Sequence, residues 1–530
     1  MIAGGLLENA QGGALPMTET STPILVGCGD VTDLDTPAER GRSPFDLIAE
    51  AGRLALADAK AASGAAGLAA AIDTVAMLRL FSDTSHRFAT RLGTSRNPPK
   101  SVAKRLGIDA ARYVYSWNGG NMPQYFVNLF AEAIARGEMR AAMIAGGEAL
   151  RTQYAVERGG LPVSWAEDPG GEPELIGDPR RGWSDDEDRH NMRAAIVMYP
   201  LIENAIRGAR GRSVPEHLQA MGRLFARFAA VAAANPLATR REGYSAERLA
   251  TVDAANRWIG FPYPRLMNSN AFIDQAAALI MTSVGTAREL GIPEEKWVYL
   301  HGCADGHDHW YVSERAELHV SPAIRRGSRK ALDMAGRSLD GIGLFDLYSC
   351  FPSAVEIGCQ EIGLAEDDPR GLTVTGGLPY FGGPGNNYVT HSIAEMMRRL
   401  RAAPGRFGLV TANGNYVTKH SFGVYSTTPF RGTWRRESPA VLQAELDALP
   451  KAPYAAAPSG AATVETYTVM HGRSGPDYGV VLGRLAATGE RFVANLPDDP
   501  AMLHDLQERD SLGRPGRVEP RDGRNIFTPA

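Results

Sequence analysis

The chain has 530 residues, a length that predicts roughly three to four domain-sized units at about 100 to 200 residues per domain. Apolar residues make up 44% and charged residues 22%, so the composition supports ordinary cores and excludes global disorder. The 56 basic and 60 acidic residues give a net charge of −4, which provides no broad basic field for a nucleic acid. We therefore expect a globular protein without a nucleic-acid partner.

The number of cysteines and the length of the apolar segments indicate the cellular compartment of the protein. Four cysteines are too few for a disulfide framework in a chain of this length, and no two form a Cys-x-x-Cys pair. No window reaches the roughly 18 consecutive apolar residues of a membrane span. The N-terminal segment lacks the basic start and apolar run of a signal peptide. The sequence thus predicts a protein of the reducing cytoplasm with no membrane insertion.

The first residues differ in composition from the rest of the chain. Residues 1–20 are rich in glycine and alanine without periodicity, and the first strand-like run comes at 23–27. A second methionine, Met17, precedes that run. We expect residues 1–20 to be a disordered tail, with Met17 as an alternative start.

Two stretches of the sequence share one plan. In the first, a Ser-Pro pair at 43–44 starts an Ala/Leu-rich helix, and an apolar strand follows at 72–78. In the second, a Ser-Pro pair at 321–322 starts a similar helix, and an apolar strand follows at 342–347. Self-similarity of this kind indicates a duplicated β/α unit.

The duplication continues downstream of these strands. A Gly/Asn loop feeds a helix with an i, i+4, i+7 apolar stripe in each half, first at 117–121 and again at 382–387. Apolar strands at 141–145 and 407–411 follow the two helices. The N-termini of the two helices can converge, each offering unpaired N–H groups and a positive dipole end. That arrangement suits an oxyanion.

The remaining segments complete the predicted domain organisation. Residues 150–265, helical from about 215 to 234, read as an insertion that covers the site. A Pro/Ala-rich linker at 431–460 precedes short strands with glycine turns and one small helix at 461–530, a pattern typical of an OB-like barrel. We assign 21–290 to an N-terminal half and 291–430 to a C-terminal half.

Several separated motifs carry a resemblance to a known family. They are Gly-Gly-Glu-Ala at 146–149, the run at 272–280, Asp-Leu-Tyr-Ser-Cys-Phe at 346–351, and the Gly-Gly-Leu at 376–378 that leads to Gly-Gly-Pro. In this order and spacing they resemble the thiolase superfamily over roughly residues 20–430, particularly the sterol-carrier-protein-type thiolases and thiolase-like proteins with an added C-terminal domain. The resemblance implies an α/β fold of five layers, α-β-α-β-α, with an acyl-CoA thioester as the ligand. It implies no cofactor besides coenzyme A as part of the substrate.

The same resemblance allows the four groups of thiolase chemistry to be checked. The nucleophilic cysteine at the start of the first Gly-rich helix falls on Gly120, which has no thiol. The Asn or His that holds the thioester oxyanion through water falls on Tyr348. The histidine of the Gly-His-Pro loop falls on Gly383, and the second cysteine falls on Asn413. All four groups are replaced, so thiolysis through an acyl-enzyme is disfavoured.

Two functions remain open at this point. By fold the chain is similar to acetyl-CoA acetyltransferases, yet helix N-termini and loop amides could still stabilise a thioester enolate without a nucleophile. A retro-aldol reaction on a 3-hydroxyacyl-CoA releases such an enolate, and some thiolase-like proteins are lyases of this kind that work with an OB-fold partner. The alternative is a catalytically silent CoA-ester binding protein. The oligomeric state stays open.

The candidate site residues follow from the replaced positions. Tyr348, Asn413 and His420 are the candidate acid/base or oxyanion groups. Loop amides near Gly120 and Gly383 would assist them.

Each candidate also has a structural interpretation. Tyr348 can be a packed aromatic residue, and Asn413 can serve the geometry of a turn. Cys350 points the same way as Tyr348 in an extended strand, which makes it a further candidate, although a buried inert thiol is the favoured reading. His420 can equally be a surface or capping residue.

The remaining histidines and a group of arginines have structural interpretations. His301, His307, Asp308 and His309 are of types that bind zinc, but their spacing matches no standard site, so no metal is predicted. His391 is read as a partly exposed cap. The arginines Arg398, Arg399 and Arg401 end the second Gly-loop helix, where positive charge is favourable.

Overall fold

The computed structural model describes residues 19–84 and 86–530. The predicted tail therefore lies, up to residue 18 and including Met17, outside the described residues. The strands are β1 Pro23–Thr32, β2 Thr74–Met77, β3 Arg112–Ser116, β4 Ala141–Ala149, β5 Glu174–Ile176, β6 Trp258–Gly260, β7 Tyr263–Pro264, β8 Asp274–Ser283, β9 Val298–His307, β10 Leu344–Asp346, β11 Phe407–Gly414, β12 Lys419–Ser426, β13 Gly460–His471, β14 Pro476–Leu485, β15 Arg491–Asn495, β16 Pro515–Arg521 and β17 Arg524–Pro529. The helices are α1 Pro44–Asp58, α2 Gly64–Ala71, α3 Pro98–Leu106, α4 Met122–Ala135, α5 Leu150–Gly159, α6 Asp185–Arg189, α7 Ala195–Ala209, α8 Val214–Ala234, α9 Ala246–Ala250, α10 Val284–Glu289, α11 Pro322–Met334, α12 Pro352–Ile362, α13 Tyr388–Ala402, α14 Pro439–Asp447 and α15 Pro500–Glu508.

The large sheet shows the duplication directly. Its strand order is β10-β11-β12-β9-β1-β8-β4-β2-β3-β5, and its two halves meet where β1 pairs with β9. Outward from that junction, each half has two antiparallel pairs and then a parallel pair: β1-β8-β4-β2 in the first half and β9-β12-β11-β10 in the second. The predicted duplicated α/β fold is confirmed.

Helices complete the five layers. Helix α1 packs on β1, β8 and β4, and its counterpart α11 packs on β9 and β12. Helices α4 and α13 contact each other and strands of both halves, so they form the central layer. The apolar stripes predicted for these helices are buried, including Phe126 and Phe130 on α4 and Ile393 and Met397 on α13.

The Ser-Pro starts of the two outer helices act as predicted by the pattern. The Ser43 side chain accepts a hydrogen bond from the Asp46 N–H, and Asp46 bonds back to the serine in a capping box. Ser321 accepts from the Ile324 N–H in the same way. Both helices therefore begin at a proline that follows a capping serine, which fixes their direction across the sheet.

The covering region spans 150–265, and helix α8 within it matches the helix predicted at 215–234. It also adds β5 to the edge of the large sheet, in parallel with β3. The predicted linker at 431–460 contains helix α14, which contacts β9 and α11. Within the described residues, no helix combines the length and apolar character needed to cross a membrane.

The C-terminal strands form a closed five-stranded barrel, as expected for an OB-like domain. Its order is β13-β14-β15-β17-β16, and β16 pairs back with β13. Strands β6 and β7 of the covering region extend this sheet through a Met470–Gly260 pairing. The barrel has its own core of 14 buried residues, one of which, Phe261, comes from the covering region.

Candidate active site

One cavity of about 940 Å³ lies where loops of both halves meet beneath the covering region. Its size is in the range of small-molecule binding sites. Five of the six predicted site residues line it: Gly120, Tyr348, Cys350, Gly383 and Asn413. His420 is not among the described residues that line it.

Gly120 and Tyr348 are in close contact in this cavity. A Cβ atom added to Gly120 would lie 2.3 Å from the Tyr348 hydroxyl oxygen and 2.6 Å from the Asn413 carbonyl oxygen. Gly120 comes two residues before α4, whose first amides have no partner inside the helix. The phenol of Tyr348 therefore occupies the space into which a side chain at position 120 would extend.

The Tyr348 hydroxyl is a donor at every physiological pH. Burial raises its pKa well above the ordinary value of 10.0, and the neighbouring Cys350 and Tyr388 add to that shift. The ring packs edge-on against Tyr388, with ring centroids 5.8 Å apart. A phenol held in this way donates a hydrogen bond to a negatively charged oxygen but does not serve as a base.

Cys350 and Tyr199 form the wall beside Tyr348. Burial raises the pKa of the Cys350 thiol to about 12, so the sulfur stays protonated and is not a nucleophile at neutral pH. Tyr199, on α7, also lines the cavity, and its ring stacks on Phe351 with centroids 4.5 Å apart. Sequence reasoning missed Tyr199 because it lies in the covering region, for which no motif gave an orientation.

Asn413 is held by this same tyrosine. Its Nδ2 donates to the Tyr199 hydroxyl oxygen at 2.9 Å, and Tyr199 in turn donates to the Asn415 carbonyl oxygen at 3.1 Å. The Asn413 Oδ1 is buried and accepts no hydrogen bond from the described residues. The turn after it is strained, because Asn415 and Val417 have φ angles of 58° and 53°. The side chains of the turn are thus fixed against the cavity.

The structure gives Gly383 a different role from the one predicted. Its N–H donates to the Asn270 carbonyl oxygen at 2.8 Å, so it is already used and is not aimed at a ligand oxyanion. A Cβ at this position would lie 2.4 Å from Ser269 Oγ. The glycine allows close approach of the covering region, and its predicted oxyanion role is not supported by this geometry.

His420 is also placed differently from the prediction. It is buried with 3% exposure, and its Nε2 lies 3.5 Å from Asp308 Oδ2. Burial alone would raise the pKa of Asp308, but contact with His420 holds it below its usual range. The histidine therefore lies beside a buried carboxylate and outside the described lining of the cavity, and its acid/base role stays a prediction.

The neighbouring Lys419 reaches the site instead. Its Nζ donates to the carbonyl oxygen of Asn118, a cavity residue of the first Gly loop. Burial lowers its pKa to about 8. The amine thus holds the first Gly loop in place through this hydrogen bond.

An asparagine ties the two Gly loops together. Asn386 Oδ1 accepts the Gly119 N–H at 2.9 Å, and Asn386 Nδ2 donates to the Arg79 carbonyl oxygen at 2.8 Å. The first Gly loop belongs to the N-terminal half and Asn386 to the C-terminal half. The hydrogen bonds of Asn386 therefore join the two loops where both line the cavity.

The residues of zinc-binding type at 301–309, for which the sequence predicts no metal, include two histidines with separate backbone contacts. His301 Nε2 lies 2.8 Å from the Thr428 carbonyl oxygen, and His309 Nε2 lies 3.0 Å from the Leu449 carbonyl oxygen. The ring nitrogens of these two residues are therefore used separately on backbone carbonyls.

The electrostatic character of the cavity comes from arginine. Among the described residues that line it, Asp83 is the one carboxylate. Arg240, Arg257 and Arg265 donate to the backbone carbonyl oxygens of Pro379, Trp258 and Ala255. The eight lining arginines are Arg79, Arg87, Arg180, Arg181, Arg193, Arg240, Arg257 and Arg265. Such a lining favours an anionic, phosphate-bearing ligand.

The fold and the added barrel define the class as thiolase-like. Residues 441–524 match the family described as "Thiolase-like protein type 1 additional C-terminal domain". A monomeric SCP2-thiolase-like protein type 1 from Mycobacterium smegmatis is 40% identical, with a TM-score of 0.83 over 97% of this chain and 100% of that chain. The chain belongs to the SCP2-thiolase-like proteins of type 1.

More distant relatives share parts of the sequence or only the fold. A 3-ketoacyl-CoA thiolase of Erwinia tasmaniensis is 28% identical over 159 residues, which span 27% of this chain and 35% of that relative. An Ltp2-ChsH2(DUF35) aldolase is 20% identical with a TM-score of 0.53, over 77% of this chain and 98% of that chain. An acetyl-CoA acetyltransferase from Syntrophomonas wolfei is 14% identical with a TM-score of 0.54, over 77% of this chain and 100% of that chain.

Proposed function

We propose that this protein cleaves or forms a carbon–carbon bond next to the thioester of a hydroxyacyl-CoA, by retro-aldol chemistry without an acyl-enzyme. The observation that carries the proposal is the Tyr348 hydroxyl, 2.3 Å from where a Cβ of residue 120 would lie. A hydrogen-bond donor thus stands where a covalent nucleophile would otherwise extend. The relative named a 3-ketoacyl-CoA thiolase supports a thioester as the substrate class.

The reaction needs a donor for the oxygen that becomes negative. In the cleavage direction a base takes the proton of the 3-hydroxyl, and the oxygen forms a C3 carbonyl as the C2–C3 bond breaks. The electron pair of that bond moves onto the thioester as an enolate, and the C3 fragment leaves as an aldehyde or ketone. The enolate then takes the proton back from the base at C2. Tyr348 donates a hydrogen bond to the enolate oxygen, and a donor in a water-poor site is worth about 100-fold or more in rate.

The reaction also needs an acceptor for the 3-hydroxyl proton. Asp83 is the one carboxylate among the described lining residues. Its Oδ2 accepts a hydrogen bond from the Tyr115 hydroxyl at 2.6 Å, which fixes the position of the side chain. The proposal assigns Asp83 as the base.

The arginine lining supports coenzyme A as the carrier of the acyl group. Coenzyme A bears phosphates, and guanidinium groups bind phosphate oxygens through paired hydrogen bonds. Arg257 is held at the cavity by its Nη1, which donates to the Trp258 carbonyl oxygen at 2.8 Å. Arg265 is exposed at the same region, so both are placed for the polar end of the ligand.

The experiment is turnover of a panel of 3-hydroxyacyl-CoA thioesters by the full chain, with intact mass measured after incubation. We expect cleavage without any acyl adduct. Tyr348→Phe should lower turnover by about 100-fold or more with little change in CoA-ester affinity. The matched control is Tyr125→Phe, which removes a hydroxyl from a half-buried tyrosine outside the cavity lining. A stoichiometric acyl adduct, or full turnover by Tyr348→Phe, would contradict the proposed mechanism.

A silent CoA-ester binding protein is the second candidate, and the protonated Cys350 together with the arginine lining favours it. Both candidates share one prediction about binding. Arg265→Ala should weaken CoA binding by about 10-fold or more, since hydrogen bonds to charged groups are worth about 1.5–3 kcal/mol. Affinity for the matching pantetheine thioester without phosphates should not change, and neither affinity should change in Arg223→Ala, an exposed arginine of α8.

Calorimetric titration with the two ligands measures this difference. Binding of CoA with no turnover on any thioester would favour the silent protein. Equal CoA affinity in Arg265→Ala and the wild type would show that Arg265 does not bind the phosphates.

A further inference from the structure

A second group of functional side chains lies behind the cavity wall. Glu203 of α7, His217 of α8 and Glu356 of α12 are each 0% exposed. Their ligand-type atoms all lie within 4.8 Å of one another. His217 Nε2 is 2.5 Å from Glu203 Oε1 and 4.0 Å from Glu356 Oε2. Two carboxylates and an imidazole thus face one point inside the protein.

One carboxylate oxygen of this group has no hydrogen-bond partner. Glu356 Oε2, fully buried and turned towards His217, accepts no hydrogen bond from the described residues. Arg210 contacts the other oxygen, Glu356 Oε1, at 3.1 Å and also pairs with Glu366 at 2.7 Å. The unpartnered Oε2 therefore leaves a buried acceptor position that a cation would fill.

Neighbouring residues hold the ligand atoms in place. Glu203 Oε2 accepts a hydrogen bond from the Tyr263 hydroxyl at 2.5 Å, and Tyr263 is in turn 2.6 Å from Ser353 Oγ. Partners of this kind orient the ligands in metal sites.

We propose that Glu203, His217 and Glu356 bind one divalent transition-metal cation of zinc-like ligand preference. Zinc is bound by imidazole nitrogen and carboxylate oxygen in sites with three protein ligands. On binding, the cation replaces the proton that otherwise lies between Glu203 and His217, and that proton is released to solvent. This site is separate from the cavity and does not depend on the proposed function.

The position of the site suggests what the metal does. It joins two helices of the covering region to α12, which follows directly on Phe351. Tyr199, one helical turn before Glu203, stacks on Phe351 at the cavity wall. The metal therefore has a structural role: it links the covering region to the C-terminal half.

The test uses the full chain after dialysis against a chelator, followed by one equivalent of Zn²⁺ and native mass spectrometry. We expect one Zn²⁺ per chain and a higher melting temperature in the wild type. Glu356→Gln and His217→Asn should each weaken Zn²⁺ binding by about 10-fold or more. Glu361→Gln, on the same helix but paired with Arg325, should bind like the wild type.

Cobalt gives a second readout that does not depend on stability. Co²⁺ bound by nitrogen and oxygen ligands in a low-symmetry site produces visible absorption bands, which should appear in the wild type and in Glu361→Gln and be lost in Glu356→Gln. The proposal is overturned if the stripped wild type takes up no Zn²⁺, or if Glu356→Gln binds it equally. A Glu356→Gln variant that is more stable than a metal-free wild type would show that shared protons, and not a cation, hold the group.

Discussion

Gly120 and Tyr348 depend on each other, although 228 positions separate them in the sequence. The hydroxyl of the tyrosine fills the space beside the glycine, so a side chain at either position limits the other. A cysteine at position 120 and a tyrosine at position 348 could not both keep this geometry. The residues at the two positions therefore constrain each other sterically.

We expect Gly120→Ala to destabilise the protein by about 1–3 kcal/mol, the usual effect of overpacking. The new Cβ would meet the rigid end of Tyr348 and the backbone oxygen of Asn413, neither of which can move freely. Gly358→Ala is the control: its nearest neighbour is Leu347 Cδ1 at 3.7 Å, and alanine within α12 should be neutral or stabilising by up to about 1 kcal/mol.

Urea denaturation of both variants and of Gly120→Ala/Tyr348→Phe measures the difference. The double variant should recover part of the loss because the clashing hydroxyl is gone. Equal stability of Gly120→Ala and Gly358→Ala would show that the loop has room, and that the pairing of Gly120 with Tyr348 is not enforced.

At the residue scale, the sequence located the cavity better than it assigned the chemistry. Gly120, Tyr348, Gly383 and Asn413, the four motif positions, all line one cavity, because each lies at the end of a strand or before a helix of the repeated unit. The contact of His420 with Asp308 could not be predicted, because only the tertiary structure brings that partner near.

At the scale of helices and strands, local patterns predicted what local physics determines. Capping serines and apolar stripes fix α1, α4, α11 and α13, because these signals act within a few residues. The sequence predicts that the arginines at the end of α13 interact favourably with the helix dipole. The structure adds a second contact, because Arg401 pairs with Asp58 at 2.7 Å. That partner lies on α1, more than 300 residues away, where no local pattern could indicate it.

His391 shows the same limit. The sequence predicts that His391 is a partly exposed helix cap. In the structure His391 is 1% exposed, and its Nδ1 lies 2.9 Å from Asp30 Oδ1. The helix stripe predicted the apolar contacts of α13 and gave no sign of a carboxylate on β1. Polar partners across the central layer are set by the packing of the two halves and not by either helix.

Strand β4 carries a buried carboxyl that makes stability depend on pH. Burial raises the pKa of Glu148 to about 8 from 4.5; the Phe81 N–H, donated to its Oε1 at 2.8 Å, opposes this shift, and Asp83 adds to it. Between these two values the folded protein keeps a proton that the unfolded chain has released. Stability from this group is complete below pH 4.5 and is lost as the pH rises towards 8.

We therefore expect Glu148→Gln to flatten the fall in stability between pH 5 and 8 that the wild type shows. Glutamine keeps the shape of the protonated carboxyl and does not titrate. The control is Glu138→Gln, an exposed glutamate in the turn before the same strand, which should leave the slope unchanged. Melting temperatures at several pH values give the slopes; a wild-type slope identical to that of Glu148→Gln would mean that Glu148 is ionised in the folded state.

At the scale of the whole molecule, the barrel is part of one body with the covering region. Phe261 enters the barrel core and stacks on Tyr467 with ring centroids 5.7 Å apart. The buried Arg491 of β15 donates to the Ala316 carbonyl oxygen at 3.1 Å in the C-terminal half. The sequence predicted the barrel from its turns, but the strands that extend it, at 258–264, are too short to be recognised.

Removing the barrel should therefore unfold the wall of the cavity as well as the C-terminus. Arg207 of α7 is 1% exposed and pairs with Asp510 at 2.8 Å, and Asn204 donates to the Tyr467 carbonyl oxygen at 2.9 Å. Without the barrel, α7 would be left with an unpaired buried guanidinium and an exposed apolar face. Since Tyr199 is on the same helix, the loss would reach the cavity.

We expect a chain shortened to end at Pro429 to aggregate or to melt well below the full chain, with loss of CoA binding. A point variant separates the ionic part of this effect from the loss of the barrel: Asp510→Ala should cost about 1–3 kcal/mol, because it leaves the buried Arg207 donors without their partner. Asp498→Ala, at an exposed position before α15, should cost less than about 0.5 kcal/mol. Scanning calorimetry and calorimetric CoA titration measure both effects. A shortened chain that melts and binds CoA like the full protein would show that the covering region stands without the barrel.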